Sequence, residues 1–191
     1  IEQNTPYRVW RDIFVRFFEL ADIDIDNLPQ RQQRIIEQVS QLEPSLLDRV
    51  PLLDDILHVG FEDNDVTRVL DAQVRHEGLI SFVIDLIRAK AKQIPLIITL
   101  EDAHWLDVSS WELVLELARG LENHPFLLII ALRPLREDNI RIEYIQLEGL
   151  PYARQLRLAP LSDTEAMNLV ATRLGVTALP QEITQLVQTR S

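Results

Sequence analysis

Apolar residues recur at helical spacing over most of this chain, and in two places they run together without interruption. Trp10, Ile13, Phe14, Phe17 and Ala21 lie three and four apart, with Arg8, Arg11 and Arg16 off that stripe. The spacing predicts a helix over about 6–21, opened by Thr5 as a hydroxyl N-cap and Pro6 in the first turn. Asp22 to Asn27 reads as an acidic turn. Leu28 to Leu42 reads as a second, polar helix with Ile35, Ile36, Val39 and Leu42 on one side. Pro44 and Pro51 divide the next stretch into short helical pieces, and Gly60 to Val66 is a loop. A long helix is expected from Thr67 to Gln93, with apolar positions that include Val69, Leu70, Val74, Leu79, Phe82, Val83, Leu86, Ile87 and Ala91. Pro95 ends it, because the residue before a proline is pushed out of the helical region.

The two uninterrupted runs, Leu96 to Leu100 and Phe126 to Leu132, are predicted strands. Runs of this kind favour a parallel sheet covered on both faces, whereas alternation would favour a sheet with one wet face. Asp107 can cap a helix running from Val108 to Leu121, with Trp111, Val114, Leu115, Ala118 and Leu121 on one side. Strand, helix and strand then form a βαβ unit with a right-handed crossover. Residues 134–153 read as a loop with room for a short helix, and Gln155 to Leu158 as a third, shorter strand. Ser162 and Glu165 fit a capping box. It opens a helix with Ala166, Leu169, Val170 and Leu174 inward, stopped at Gly175, and Pro180 starts a last helix with Ile183, Leu186 and Val187 apolar.

Composition narrows the class. A chain of 191 residues that is 47% hydrophobic suits one α/β domain with or without a small second lobe. There is no cysteine, so disulfides and thiolate metal sites are excluded; the absence fits a reducing cytosol. A net charge of −11 supplies no basic face for a phosphate backbone, so direct nucleic-acid binding is not expected. The apolar runs are far too short to span a bilayer. The arginine-bearing first twenty residues read as a helix and not as a signal peptide.

The chemistry concentrates where the first strand ends, at Leu100-Glu101-Asp102-Ala103-His104-Trp105-Leu106-Asp107. Ligands in open α/β sheets bind at the carboxyl ends of strands. Two successive acids there can divide the work of associating with a nucleotide-borne magnesium and orienting an attacking water. The bland alternative is an acidic pair that caps a turn; the residues flanking it favour the site. Arg133 follows the second strand and would sit beside the acids, where a cation can stabilise phosphoryl charge. His104 is expected as a polar loop residue near the site, with metal ligation the weaker role. Trp105 is expected as a packing anchor under the loop, and Asp107 as a helix cap first and a site residue second. His58, His76 and His124 lack partners at ligand spacing and read as structural. No serine stands in a nucleophile-elbow context.

With these residues in view, the chain resembles the ATPase domain of signal-transduction P-loop NTPases with numerous domains. More narrowly, it resembles the ATPase region that follows class III adenylyl or guanylate cyclase domains, or precedes helical-repeat or DNA-binding modules, in large bacterial regulators. The resemblance covers Thr5-Pro6-Tyr7 with Trp10-Arg11, and Pro95 through Asp107. It continues through the helix of Leu113, Leu117 and Ala118 to Pro125, the strand ending at Arg133, and Leu156 through Ser162. The Glu-Asp-x-His-Trp-x-Asp segment is the specific part and corresponds to a Walker B strand end.

The resemblance implies an α/β fold, a P-loop NTPase-type parallel sheet with flanking helices. The nucleotide core would span 1–160, and the start of a small helical lid 161–191. It implies ATP and Mg2+ as ligands, with Glu101 at the magnesium-associated position where the family often has aspartate. Asp102 falls at the acid that activates water, and Arg133 at the first sensor. It implies a cytoplasmic regulatory module whose nucleotide state controls an attached output domain. The departure is that no Gly-x-x-x-x-Gly-Lys-Ser/Thr occurs, and none of the five glycines stands in such a context. The phosphate loop normally supplies most phosphate contacts. We therefore expect a chain that starts just past that loop, a sheet lacking its first strands, and weak or absent ATP binding by these 191 residues alone. Two further hypotheses stand beside this one. One is a nucleotide-independent interaction scaffold on a degenerate NTPase fold. The other is a metal-dependent hydrolase using Glu101, Asp102, His104 and Asp107.

Overall fold

The computed structural model describes residues 6–134 and 140–176. The Thr5 cap and the helix expected from Pro180 lie outside the described residues. The chain divides into two compact units, Ile1–Ala153 and Arg154–Ser191. The first unit runs α1 (Arg8–Phe17), α2 (Leu28–Leu42), a 3-10 segment (Pro44–Leu53), α3 (Asp54–Leu57), α4 (Ala72–Gln93), β1 (Leu96–Leu100), a short 3-10 turn (Ala103–Trp105), α5 (Val108–Gly120), β2 (Phe126–Ile130) and α6 (Ile142–Glu148). The second unit holds α7 (Asp163–Leu174).

Polar caps and left-handed residues set the helix limits more tightly than the apolar stripes do. α1 is shorter than its stripe because Tyr7 and Glu19, just outside its two ends, both have positive φ, 60° and 52°. α4 starts at Ala72, five residues later than expected. Asp71 accepts a hydrogen bond from the Val74 amide at 2.9 Å, and Asn64 Oδ1 has already closed a separate turn with the amides of Val66 and Thr67. Val69 is consequently off the helix and 75% exposed.

The core is built mainly by helices. Trp10, Phe14 and Phe18 of the first segment, Phe82, Val83 and Leu86 of α4, and Leu113, Val114 and Leu117 of α5 are fully buried. α4 and α5 approach closely at Gly120, where an added Cβ would meet Ile84 Cγ2 at 2.7 Å. Beside that contact Asp85 bridges Arg49 and Arg88, at 2.6 and 2.7 Å, and Arg88 donates to the Gly120 carbonyl at 3.1 Å. The network holds α4 to both the 3-10 segment and α5 while leaving each charge partly hydrated.

β1 and β2 pair in parallel, in register from Leu96 opposite Phe126 to Leu100 opposite Ile130. The βαβ unit expected from the sequence is therefore present. Two expectations about the sheet are corrected. Gln155 to Leu158 form no strand; Leu156 and Leu158 are 83% and 86% exposed and lack a ladder partner. Nor is the sheet covered on both faces: Ile97, Leu127 and Ile129 are 66%, 52% and 43% exposed. Only the face of Leu96, Ile98, Leu100, Phe126, Leu128 and Ile130 packs on the core.

In the second unit Ser162 and Glu165 form the capping box, and Gly175 ends α7 with φ 67°. Ala166, Leu169, Val170 and Leu174 were expected to face inward, but α7 buries no side chain, and Leu169 and Leu174 are each 58% exposed. Among the described residues no helix is long and apolar enough to cross a membrane.

Candidate functional site

Leu100, fully buried, is the last residue of β1, and Glu101 and Asp102 turn out of the sheet immediately after it, both exposed. Asp102 adopts a left-handed conformation, φ 52° and ψ 36°, which aspartate and asparagine tolerate better than most side chains. That kink starts the 3-10 turn: the amides of Trp105 and Leu106 donate to the carbonyls of Asp102 and Ala103 at 2.9 and 3.1 Å. The two strand exits stay side by side beyond the formal ends of the strands. Ala131 N–H donates to the Leu100 carbonyl at 2.8 Å, and Ala103 N–H donates back to the Ala131 carbonyl at 2.9 Å. The acidic pair is thus fixed to the exit of β2, two residues before Arg133.

His104 packs its ring against Trp105, with centroids 5.0 Å apart. Its Nδ1 is shielded from solvent, has no hydrogen-bond partner, and lies 3.9 Å from Asp102 Oδ1. Trp105 is corrected from its expected role. It is 63% exposed, and the packing under the loop comes from Ala103 and Leu106. Asp107 is a cap, as expected: Oδ1 accepts from the Ser110 amide at 2.9 Å and Oδ2 from its hydroxyl at 2.6 Å. The Ser110 carbonyl in turn accepts from Trp10 Nε1 at 3.4 Å, which ties the loop's end to α1.

Arg133 is exposed, past the end of β2. Among the described residues no ion pair joins it to Glu101 or Asp102. The structure therefore brings Glu101, Asp102 and His104 together and leaves Arg133 at the adjacent strand exit. Among the described residues no group of three or more His, Asp or Glu side chains could hold a metal ion, so the four residues of the metal-hydrolase hypothesis are not gathered into one ligand set. Asp107, the intended fourth ligand, is occupied by Ser110.

Sequence reasoning missed one network entirely. Tyr7 Oη and His76 Nδ1 are 2.9 Å apart, and His76 Nε2 lies 2.8 Å from Glu112 Oε2. Burial, reinforced by the Glu112 carboxylate, pushes the Tyr7 phenol well above its ordinary range. It stays a neutral hydroxyl there. The partners are 69 and 36 residues apart, and no spacing rule joins them.

Among the described residues, one cleft of about 700 Å3 lies against α1 and the turn after it, and another of about 560 Å3 lies between α4 and α5. Neither is lined by Glu101, Asp102, His104 or Arg133. Glu101, Asp102 and Arg133 are exposed.

This combination defines a class no finer than an α/β protein with a parallel strand pair and flanking helices, compatible with part of a Rossmann-like fold. Comparison with protein-family models, with curated proteins and with solved structures finds no match.

Proposed function

We propose that the chain carries the acid-bearing part of a regulatory ATP-binding and ATP-hydrolysing module of the P-loop NTPase type, within a larger signalling protein. The observation that carries this reading is the exit of Glu101 and Asp102 from the carboxyl end of a parallel strand, bonded side by side to the exit leading to Arg133. Strand ends of this kind are where α/β sheets bind ligands.

The donor set suits a nucleotide-borne magnesium better than a resident ion. Mg2+ is held by one or two carboxylates, its remaining positions filled by water and phosphate oxygens. Glu101 and Asp102 offer two exposed carboxylates, and among the described residues there is no preformed cage, consistent with that pattern. Glu101 would hold the ion, which when bound neutralises phosphate charge. Asp102 orients and accepts a proton from water. Arg133 supplies a cation toward the transferred phosphoryl group.

The test is Mg-ATP hydrolysis by the chain extended toward its amino terminus, beside the same chain carrying Asp102→Asn. Hydrolysis lost in the variant with nucleotide binding kept supports the reading; absence of both binding and hydrolysis in the extended wild type overturns it. A second reading, an interaction scaffold on a degenerate NTPase fold, is favoured by one observation: no Gly-x-x-x-x-Gly-Lys motif occurs in the 191 residues. ATP binding by the extended chain decides against it.

A further inference from the structure

The 700 Å3 cleft has no part in the reading above, and its chemistry is unusual. It falls within the size range of small-molecule sites. Two arginines line it. Arg31, on α2, is only 6% exposed, and its Nη1 donates to the backbone carbonyls of Leu20 and Ile23 at 3.3 Å each. Arg11, on α1, donates from Nε to the Ile56 carbonyl at 2.9 Å, and its Nη2 is shielded from solvent with no partner. Among the described residues neither arginine forms an ion pair. Carbonyl oxygens are neutral acceptors, so the buried Arg31 and the half-buried Arg11, whose Nη2 is shielded from solvent, hold their charge without a carboxylate in ion-pair contact, which is costly.

Negative charge does line the same cleft, in a different layer. Asp12, Asp22 and Asp24 are all exposed, so they stand at the wet rim, while Arg31 is buried and Arg11 half-buried with its Nη2 shielded from solvent. A bare anion would satisfy the floor and be repelled by the rim. A bare cation would do the reverse. A molecule carrying both signs satisfies both layers.

We propose that this cleft binds a small zwitterion, its carboxylate on Arg11 and Arg31 and its ammonium toward Asp12, Asp22 and Asp24. Free amino acids and short unblocked peptides share that chemistry. The buried floor holds the carboxylate, because charge-assisted bonds to a sheltered guanidinium are stronger than those to a hydrated one. The rim selects for the amine.

Isothermal titration of the folded chain tests this with the twenty L-amino acids and triglycine, each beside its C-terminal amide and its N-acetyl form, and with inorganic phosphate. At probe concentrations up to about 10 mM, binding at millimolar strength or tighter is measurable. At least one free zwitterion is expected to bind, with both blocked forms weaker by about tenfold or more. The amino-acid and triglycine arms distinguish the two sources. Arg11→Gln and Asp22→Asn should each weaken binding by a similar factor. Arg31 is left intact because it also ties down the turn carbonyls. Should Arg11→Gln not fold, Asp22→Asn and the blocked probes still decide. No binding by any probe, amides that bind as well as acids, or phosphate that binds as tightly as the best zwitterion would each overturn the proposal.

Discussion

Deleting a single hydroxyl probes the network that fastens α1 to α4 and α5. Tyr7→Phe keeps the ring in its seat, where it is 4% exposed, and removes only the Oη that meets His76 Nδ1 at 2.9 Å. A net hydrogen bond contributes about 1 kcal/mol, and a fully buried partner left unsatisfied adds roughly 1–3 kcal/mol more. The His76 side chain is 27% exposed, so water reaches it and the lower end applies, about 1–2 kcal/mol in all. For a domain of this size that corresponds to a fall in Tm of roughly 2–8 °C. Alkaline pH gives the sharper readout. The Tyr7 phenol is raised above its ordinary value of 10 by burial first and by Glu112 second. The folded state therefore keeps a proton that the unfolded chain releases. The stability tied to this proton is fully present below about pH 10 and declines as pH rises beyond it, by at most about 1.4 kcal/mol per pH unit. Urea unfolding of both proteins from about pH 8 to 11 should show the gap between them constant at first and narrowing above about pH 10. A gap that stays constant over the whole range would refute the reasoning, because it would mean that the phenol titrates alike in the folded and unfolded states.

Legibility along the chain follows the range of the forces involved. The strand at 96–100, the start of the strand expected over 126–132 and found over 126–130, and the helix bounds 28–42 could be read because apolar patterning acts within a few residues. The capping box at Ser162 and the Asp107 cap were legible for the same reason. The α4 start was not, because two competing local caps, Asn64 and Asp71, divide a stretch whose apolar periodicity is continuous. Coverage of the sheet was not legible either. A continuous apolar strand reports what a parallel sheet can bury, while the exposure of Ile97 and Leu127 depends on which layers are present to cover it.

The candidate site divides along the same line. Glu101 and Asp102 were legible because a strand end is a local event. The continued bonding through Leu100, Ala103 and Ala131, which fixes them beside the path to Arg133, depends on parallel register and not on composition. Trp105 misled because an aromatic in a loop is usually an anchor, whereas the left-handed Asp102 directs the following turn so that the small Ala103 packs and the indole does not. The Tyr7–His76–Glu112 network and the arginine-floored cleft join α1 to residues far along the chain, and only the packed helices bring those residues together.

The remaining expectations concern packing and the acidic loop. Gly120→Ala should destabilise by about 1–3 kcal/mol despite the better helix former, since the new methyl meets the branch carbon of Ile84 at 2.7 Å. Chemical denaturation of that variant alone and with Ile84→Ala should show a coupling that relieves part of the loss. The last expectation separates chemistry from scaffolding within one loop. Asp107→Ala removes both hydrogen bonds from Ser110 at the start of α5 and should cost about 1 kcal/mol. Asp102→Asn, only a few residues earlier, changes a side chain that is 72% exposed and keeps a residue type suited to the left-handed region. Its stability should therefore stay within about 0.5 kcal/mol of the parent. The two differ in what holds them: Asp107 is fixed by a helix that needs it, while Asp102 is held in an uncommon conformation with its carboxylate in solvent and, among the described residues, no hydrogen bond using it. Equal thermal losses in the two variants would show Asp102 to be a second structural cap, and the case for an acid kept for chemistry would fall with it.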